Sequence, residues 1–336
     1  MITTRSLGYT GPAVSAMGLG TMGMSDGAYG PADRFESIAT IHAALDAGVT
    51  LIDTGDFYGS GHNELLIGEA LRGHDRSRVQ LSVKFGAQRD PAGGFVGFDS
   101  RPGTMKNALA QSLVRLGTDY IDVYRPARLD QNVPIEETVG AIAEMVAAGY
   151  VRYIGLSEMS AATLRRAHAT HPIVDLQIEY SLISRGIEDT ILPACRELGV
   201  AITAYAVLSR GLIGGRWSKD RSTTNDFRGI SPRFQGENLD RNLALVNALE
   251  RLAQAKGVSV SQLAIAWVMQ HGADIVPVIG ARKREQLVDA LGSLEIELLA
   301  SDIEAIERAV PRDAAAGDRY PAHGMAGLDS EREPVA

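Results

Sequence analysis

Apolar residues recur along the chain at helical spacing, and each such run leads through a glycine into a short apolar strand. Ile38, Ile41 and Leu45 share one helical face, Ala47-Gly48 closes the helix, and a strand over 49–53 follows at once. The unit returns with Met105, Leu109, Leu113 and Leu116, then Gly117 and a strand over 120–124. It returns with Ile135, Val139, Ile142 and Val146, then Gly149 and a strand over 151–156. Ile187, Ile191 and Leu198, then Gly199 and a strand over 200–205, repeat it again. Glycine suits the left-handed residue that ends a helix. Strands this short, rich in Val and Ile and apolar on both faces, read as buried parallel strands.

Strand–helix alternation over most of the chain predicts a parallel α/β architecture. A doubly wound sheet opens with a Gly-rich phosphate loop after its first strand. Here the glycine-rich Met17-Gly18-Leu19-Gly20-Thr21-Met22-Gly23 instead follows what reads as a small N-terminal hairpin. The number of units suits a (β/α)8 TIM barrel, for which about 250 residues before insertions are typical. The expectation is a single barrel domain over 1–336 with an N-terminal β-hairpin and long loops on the C-terminal face. Two segments stand apart. Residues 208–240 are polar and carry Gly211, Gly214, Gly215, Gly229, Pro232 and Gly236. A loop of that length is usually functional or disordered. The tail over 311–336 reads either as a segment folded over the barrel mouth or as a free end, and Arg319-Tyr320-Pro321 points to docking.

Composition narrows the class. At 45% hydrophobic, the 336 residues can bury a large core and do not describe a disordered chain. A net charge of −8 argues against binding nucleic acid or an anionic lipid surface. The one cysteine, Cys195, excludes an internal disulfide and a cysteine-based metal cluster, and its apolar helical context reads as core. His168 and His171 are close in sequence but lack a third ligand, so no metal is expected. The N-terminus lacks the apolar stretch of a signal peptide, and no run of eighteen apolar residues occurs. The expected location is cytoplasmic. With no coiled coil or exposed apolar stripe, the expected state is a monomer or weak homo-oligomer.

Functional groups of a barrel sit where its strands end. The second strand ends in Asp53 and runs into Thr54-Gly55-Asp56-Phe57-Tyr58-Gly59; the third ends in Lys84; the fifth ends in Gly155-Leu156-Ser157-Glu158; the sixth ends in Gln177; the seventh ends in Tyr205. A carboxylate, a phenol and an amine at one rim make a proton-donor set. A nearby ammonium lowers a tyrosine pKa from its usual value of about 10. Lys84 beside Tyr58, held charged by Asp53, is expected to do so. A tyrosine hydroxyl aimed at a carbonyl oxygen stabilises the oxyanion and supplies its proton. Taken singly, Asp53 reads equally as a cap, Tyr58 as a packed ring and Lys84 as a structural charge.

The string Asp53-Thr54-Gly55-Asp56-Phe57-Tyr58-Gly59, with Asn63-Glu64 after it, resembles the D-T-A-x-x-Y-G…N-E segment of the aldo-keto reductases. Gly18-Leu19-Gly20-Thr21-Met22, Ser82-Val83-Lys84, 155–158, 176–180, 205–211 and 277–292 extend the resemblance over nearly the whole chain. The resemblance implies NADPH-dependent reduction of a small aldehyde or ketone. Tyr58 would be the acid, Lys84 its modulator and Asp53 the partner of the lysine. Ser157 and Gln177 would bind the carboxamide, with Glu158 in the same element. Tyr205 would stack on the nicotinamide, and Gly20, Thr21 and Met22 would line its ribose side through backbone. Val207, Leu208, Ser209, Arg210 and Gly211 would cover the pyrophosphate. Gly280, Ala281, Arg282, Lys283 and Gln286 would surround the adenosine end, where Arg282-Lys283-Arg284 at a helix start suits the 2′-phosphate of NADP.

The chain departs from the family at one catalytic position. Where the family carries a histidine in strings like Y-x-x-H, this chain reads Tyr124-Arg125-Pro126-Ala127-Arg128, and Ala127 takes the histidine's place. Arg125 reads either as a substitute oxyanion donor or as an outward-facing structural arginine. Nearby His62 reads as structural. Glu158 stands where asparagine is common, Ala206-Val207 replaces Ser-Pro, and Asp289-Ala290 replaces Glu-Asn. Two alternatives follow: a cofactor-bound regulatory protein with weak catalysis, and an enzyme running in the oxidative direction on an alcohol or sugar.

Overall fold

The computed structural model describes residues 2–215, 217–218 and 226–332. An antiparallel hairpin of β1 (Thr4–Ser6) and β2 (Ala13–Ser15) comes first. Barrel strands β3 (Gly18–Gly20), β4 (Leu51–Gly55) and β5 (Gln80–Phe85) follow. A second hairpin, β6 (Ala87–Arg89) with β7 (Phe95–Phe98), precedes β8 (Ile121–Pro126). Strands β9 (Val151–Ser157), β10 (Ile173–Glu179), β11 (Ala201–Tyr205) and β12 (Ile275–Gly280) complete the set. The eight parallel strands close in chain order, β12 pairing with β3, into the expected (β/α)8 TIM barrel.

The outer ring is α1 (Arg34–Asp46), α2 (His62–Ala70), α3 (Pro102–Leu116), α4 (Ile135–Ala147), α5 (Ala161–Thr170) and α6 (Ile191–Leu198). It continues with α7 (Gly236–Lys256), α8 (Val260–Gln270) and α9 (Arg284–Gly292). The helix α10 (Ala300–Ala309) and the short α11 (Ala322–Met325) come last. Helices α3, α6 and α7 each end on a left-handed glycine, as the glycine punctuation predicts. Strands β4, β8, β9 and β10 run one or two residues beyond their predicted ends, toward the mouth. Their terminal polar residues still pair in the ladder, as Gln177 opposite Ser157 shows. Gly18, Gly20 and Gly23 carry the G-x-G-x-x-G spacing of a dinucleotide turn. Two of the three lie inside β3 itself, so the spacing lacks the strand–turn–helix context that gives it meaning.

The barrel interior is layered by polarity. At the N-terminal end Leu7 and Val14, from the hairpin, pack with Leu51, Val123, Ala201 and Val276 as an apolar floor. One layer up sits a buried ion pair, Arg125 to Asp175 at 2.9 Å, with both side chains 0% exposed. Arg125 also donates to Ser82 Oγ at 2.9 Å and to Thr203 Oγ1 at 3.2 Å. Gly155 makes room for the pair, since a Cβ there would lie 2.4 Å from the Asp175 carboxylate. Arg125 is therefore neither outward-facing nor an oxyanion donor at the rim: its guanidinium is spent inside the barrel, because a charge buried this deep needs a partner. The apolar core proper lies between the strands and the helix ring. Among the described residues no helix is long and apolar enough to cross a membrane.

Arg125→Ala should cost on the order of 3–5 kcal/mol by leaving the Asp175 charge unpaired. The double variant Arg125→Met/Asp175→Asn should recover much of that loss in the same thermal or urea unfolding series.

Candidate active site

One buried asparagine fixes the approach to the site. Asn63, in the first turn of α2, accepts from Thr21 Oγ1 at 2.6 Å and Thr54 Oγ1 at 2.8 Å. It donates to the Thr21 carbonyl and to Ser25 Oγ, both at 2.9 Å. This clamps the ends of β3 and β4 to the helix that follows Tyr58. Thr21, expected to line a ligand through backbone, has its side chain fully buried, and its N–H bonds the Asp53 carbonyl.

Above the Arg125 layer, Asp53 is the hub. Its carboxylate takes Lys84 Nζ at 2.5 Å, Ser82 Oγ at 2.8 Å and Gln177 Nε2 at 2.7 Å. Donors from β5 and β10 thus converge on one buried acid of β4. The Lys84 ammonium lies 5.0 Å from the centre of the Tyr58 ring. Gln177 gives one amide N–H to Asp53, which leaves its carbonyl and its second N–H for a carboxamide.

The expected depression of the Tyr58 pKa is not found. Burial first, then the negative charge of Asp53 and the neighbouring Tyr29, raise the hydroxyl well above the ordinary tyrosine value, while Arg128 acts in the opposite direction. Burial also lowers the Lys84 pKa against the pull of Asp53. Tyr58 is accordingly a protonated phenol at neutral pH, the form a proton donor needs. Phe57 stacks edge-on against it at 4.9 Å.

The tail docks over the mouth. Arg319 forms a two-pronged bridge to Glu158 at 3.0 and 2.9 Å and reaches Glu179 at 3.5 Å. Ser330 donates to Glu158 at 2.6 Å, and Asp329 accepts from the Ser160 N–H at 2.7 Å. Burial opposes the Glu158 charge, but Arg319, Arg128 and Ser330 together hold it well below the usual carboxylate range. Tyr205 donates to Glu158 at 2.7 Å and stands 3.1 Å from the Tyr320 hydroxyl. Arg128 donates to that same hydroxyl at 3.2 Å and to Ser157 Oγ at 3.4 Å. Tyr29, Arg128, Glu179 and Tyr320 were not predicted as site residues. Arg128 ends the string Tyr124–Arg128 and Tyr320 follows Arg319, but only the fold shows that these segments meet.

The remaining predicted positions ring the mouth. All five non-glycine residues with left-handed backbone among those described are Ser60, Glu158, Ala206, Ser209 and Arg210, and each lies beyond a strand end. Such strain collects at functional loops. Val207 and Ser209 bury their side chains, so this loop can meet a ligand chiefly through backbone, Leu208, Arg210 and Gly211. Arg210 is itself held by Glu179 at 3.2 Å. Gly20 ends β3, followed by the half-buried Met22. At the far end of the mouth Gly280 closes β12 and is exposed, with open space where a side chain would be. Ala281 is buried, Gln286 accepts from the Arg282 N–H at 2.9 Å, and Lys283 is exposed at the start of α9. Arg284, expected to join a cation cluster, pairs with Glu36 at 2.9 Å. Ala127 is buried, with its N–H on the Phe85 carbonyl. His62 bonds Ser25, and Cys195 is buried in the core.

A closed (β/α)8 barrel with a buried carboxylate, amine and phenol at its C-terminal mouth is the architecture of a small-molecule enzyme. The family model described as "Aldo/keto reductase family" matches residues 16–311. A relative from Glycine max, "Probable aldo-keto reductase 1", is 43% identical over 317 residues, covering 94% of this chain and 90% of the relative. The glycerol dehydrogenase from Gluconobacter oxydans superposes with a TM-score of 0.82 at 28% identity, covering 99% of this chain and 98% of its own. An aldo/keto reductase from Klebsiella pneumoniae, solved in complex with NADP and acetate, superposes at 0.71 with 28% identity, covering 95% and 99%. The chain belongs to the aldo/keto reductase family and is an oxidoreductase.

Asp56, just past β4, gives a pH signature. Burial and the nearby Glu64 push its carboxyl up to about 7 from 3.8. The folded state therefore binds a proton that the unfolded chain releases, and stability falls as pH rises between about 4 and 7. The thermal midpoint should drop between pH 5.5 and 8, and Asp56→Asn should remove part of that drop.

Proposed function

We propose that the chain reduces an aldehyde or ketone with NADPH, the proton coming from Tyr58. The observation that carries this reading is the Asp53–Lys84 pair at 2.5 Å set under the Tyr58 ring. A regulatory protein has no need to bury a paired amine and acid beside a protonated phenol.

The residues present fit a dinucleotide. Gly280 leaves open space at the end of β12, and the loop over 206–211 that follows β11 carries left-handed residues of the kind that form anion-binding turns. The exposed Lys283 suits a phosphate, while the Arg284 N–H at the start of α9 is taken by Glu36. Arg282 is held by the Tyr29 carbonyl at 2.6 Å and by Pro31, contacts to neutral groups that leave its charge uncancelled. Ser157, Gln177 and Tyr205 would face the nicotinamide, Leu208, Arg210 and Gly211 the pyrophosphate, and Arg282, Lys283 and Gln286 the adenosine phosphate.

A reduced nicotinamide supplies the hydride when bound. Tyr58 holds its proton through the neutral range and delivers it to the carbonyl oxygen as negative charge builds there. Lys84 lies under the ring and stabilises the phenolate left behind, and Asp53 fixes Lys84 in place with help from Ser82 and Gln177.

Tyr58→Phe should lower kcat/KM by about 10²–10⁴-fold in an NADPH-oxidation assay with a reactive aromatic aldehyde, with NADPH affinity nearly unchanged. Wild-type turnover in the variant would remove the assigned role. Arg282→Ala/Lys283→Ala should weaken NADPH about tenfold or more relative to NADH by fluorescence titration, and equal weakening of both would contradict the phosphate site.

A further inference from the structure

The barrel mouth is crowded with arginines, and all but one of those around the tail are matched to carboxylates. Arg210 and Arg233 pair with Glu179, Arg228 pairs with Asp226, and Arg319 pairs with Glu158 and Glu179. Arg128 differs. Among the described residues its bonds run only to neutral oxygens: the Ala127 carbonyl at 2.6 Å, the Ser157 hydroxyl at 3.4 Å and the Tyr320 hydroxyl at 3.2 Å. A guanidinium has five N–H donors and stays charged at every accessible pH. Glu158 lies near enough to act on the Arg128 charge, but among the described residues no carboxylate takes its N–H groups, so the remaining donors stay open to a ligand.

Its position fits that use. Arg128 follows Ala127, whose methyl offers no donor at the end of β8. The guanidinium reaches the end of β9 at Ser157. Its charge is felt at both Tyr58 and Lys84. The Tyr320 hydroxyl shows what it holds. Tyr205 gives its own proton to Glu158, so the Tyr320 proton bridges to Tyr205 and the Tyr320 oxygen is free to accept from Arg128. An oxygen acceptor from the tail thus rests against Arg128 at the mouth that holds Tyr58.

We propose that Arg128 is a catalytic residue that donates N–H bonds to the carbonyl oxygen of the substrate, at the position the Tyr320 hydroxyl fills here. This rests on the reductase reading of the Tyr58 site. The carbonyl oxygen lies between Arg128 and the Tyr58 hydroxyl; hydride adds to the carbon, the C=O π pair moves to oxygen, and the Tyr58 proton closes the O–H bond. The guanidinium neutralises the charge developing on that oxygen and gains and loses no proton. The Tyr320 hydroxyl leaves when substrate enters.

The test uses the full chain with NADPH and 4-nitrobenzaldehyde. Arg128→Ala should lose about 10²–10³-fold in kcat/KM, the usual cost of one oxyanion donor, with NADPH affinity little changed. Guanidinium chloride at millimolar concentration should restore activity to Arg128→Ala, whereas urea, of like shape but neutral, should not. Arg128→Lys should fall between the two, and it stands in should the alanine variant fail to fold. Tyr320→Phe should keep or raise kcat/KM. Near-wild-type activity in Arg128→Ala, equal rescue by urea, or loss of activity in Tyr320→Phe as deep as in Tyr58→Phe would each overturn the assignment. Tyr58→Phe run alongside separates the two claims. If it is fully active, the reductase site itself fails; if it is inactive while Arg128→Ala is not, only the role of Arg128 fails.

Discussion

The site depends on one constraint: a carboxylate buried inside a closed barrel must be satisfied from every side. Asp53 is 5% exposed, and β5 and β10 each send side chains to it. Its ionised oxygens take an ammonium, a hydroxyl and an amide, which offsets the cost of removing the charge from water. Because those donors stand on separate strands, the hub is also a register lock. A one-residue slip of β5 would turn Lys84 and Ser82 out of the barrel together.

The same rule governs the layer beneath and the lid above. Arg125 and Asp175 answer one another below the hub, where Gly155 leaves them space. Over the mouth, Arg319 reaches from the tail to Glu158 and Glu179, so two buried acids at strand ends hold the C-terminal segment in place. The Asp53–Lys84–Tyr58 cluster therefore sits between two sets of buried ion pairs, in surroundings that keep the Tyr58 hydroxyl protonated. In the proposed reaction Lys84 would serve less to lower the tyrosine pKa than to stabilise a phenolate formed beside it.

The alternation of apolar helices, glycines and short strands announced the barrel, and strand ends announced Asp53, Tyr58 and Lys84. The barrel held because it rests on local periodicity, and the structure brings those three side chains together because strand C-termini share a mouth. Arg125 shows where this reasoning stops. It lies two residues before Ala127, yet inward alternation buries it a layer too deep. Arg128, further along the strand end, bends back to the mouth instead.

The sequence by itself determined the fold class, the family and the acid–amine–phenol set, since each is written in short strings or regular spacing. Only the tertiary structure decided which charges remain uncommitted. Arg284 is taken by Glu36, Arg319 by Glu158 and Arg125 by Asp175, from partners 248, 161 and 50 positions away. Ion pairing depends on distances of a few ångströms between side chains far apart in the chain, and no local pattern encodes those distances. The tail's course over the mouth was open for the same reason: it follows from buried carboxylates that only the closed barrel brings within reach of Arg319.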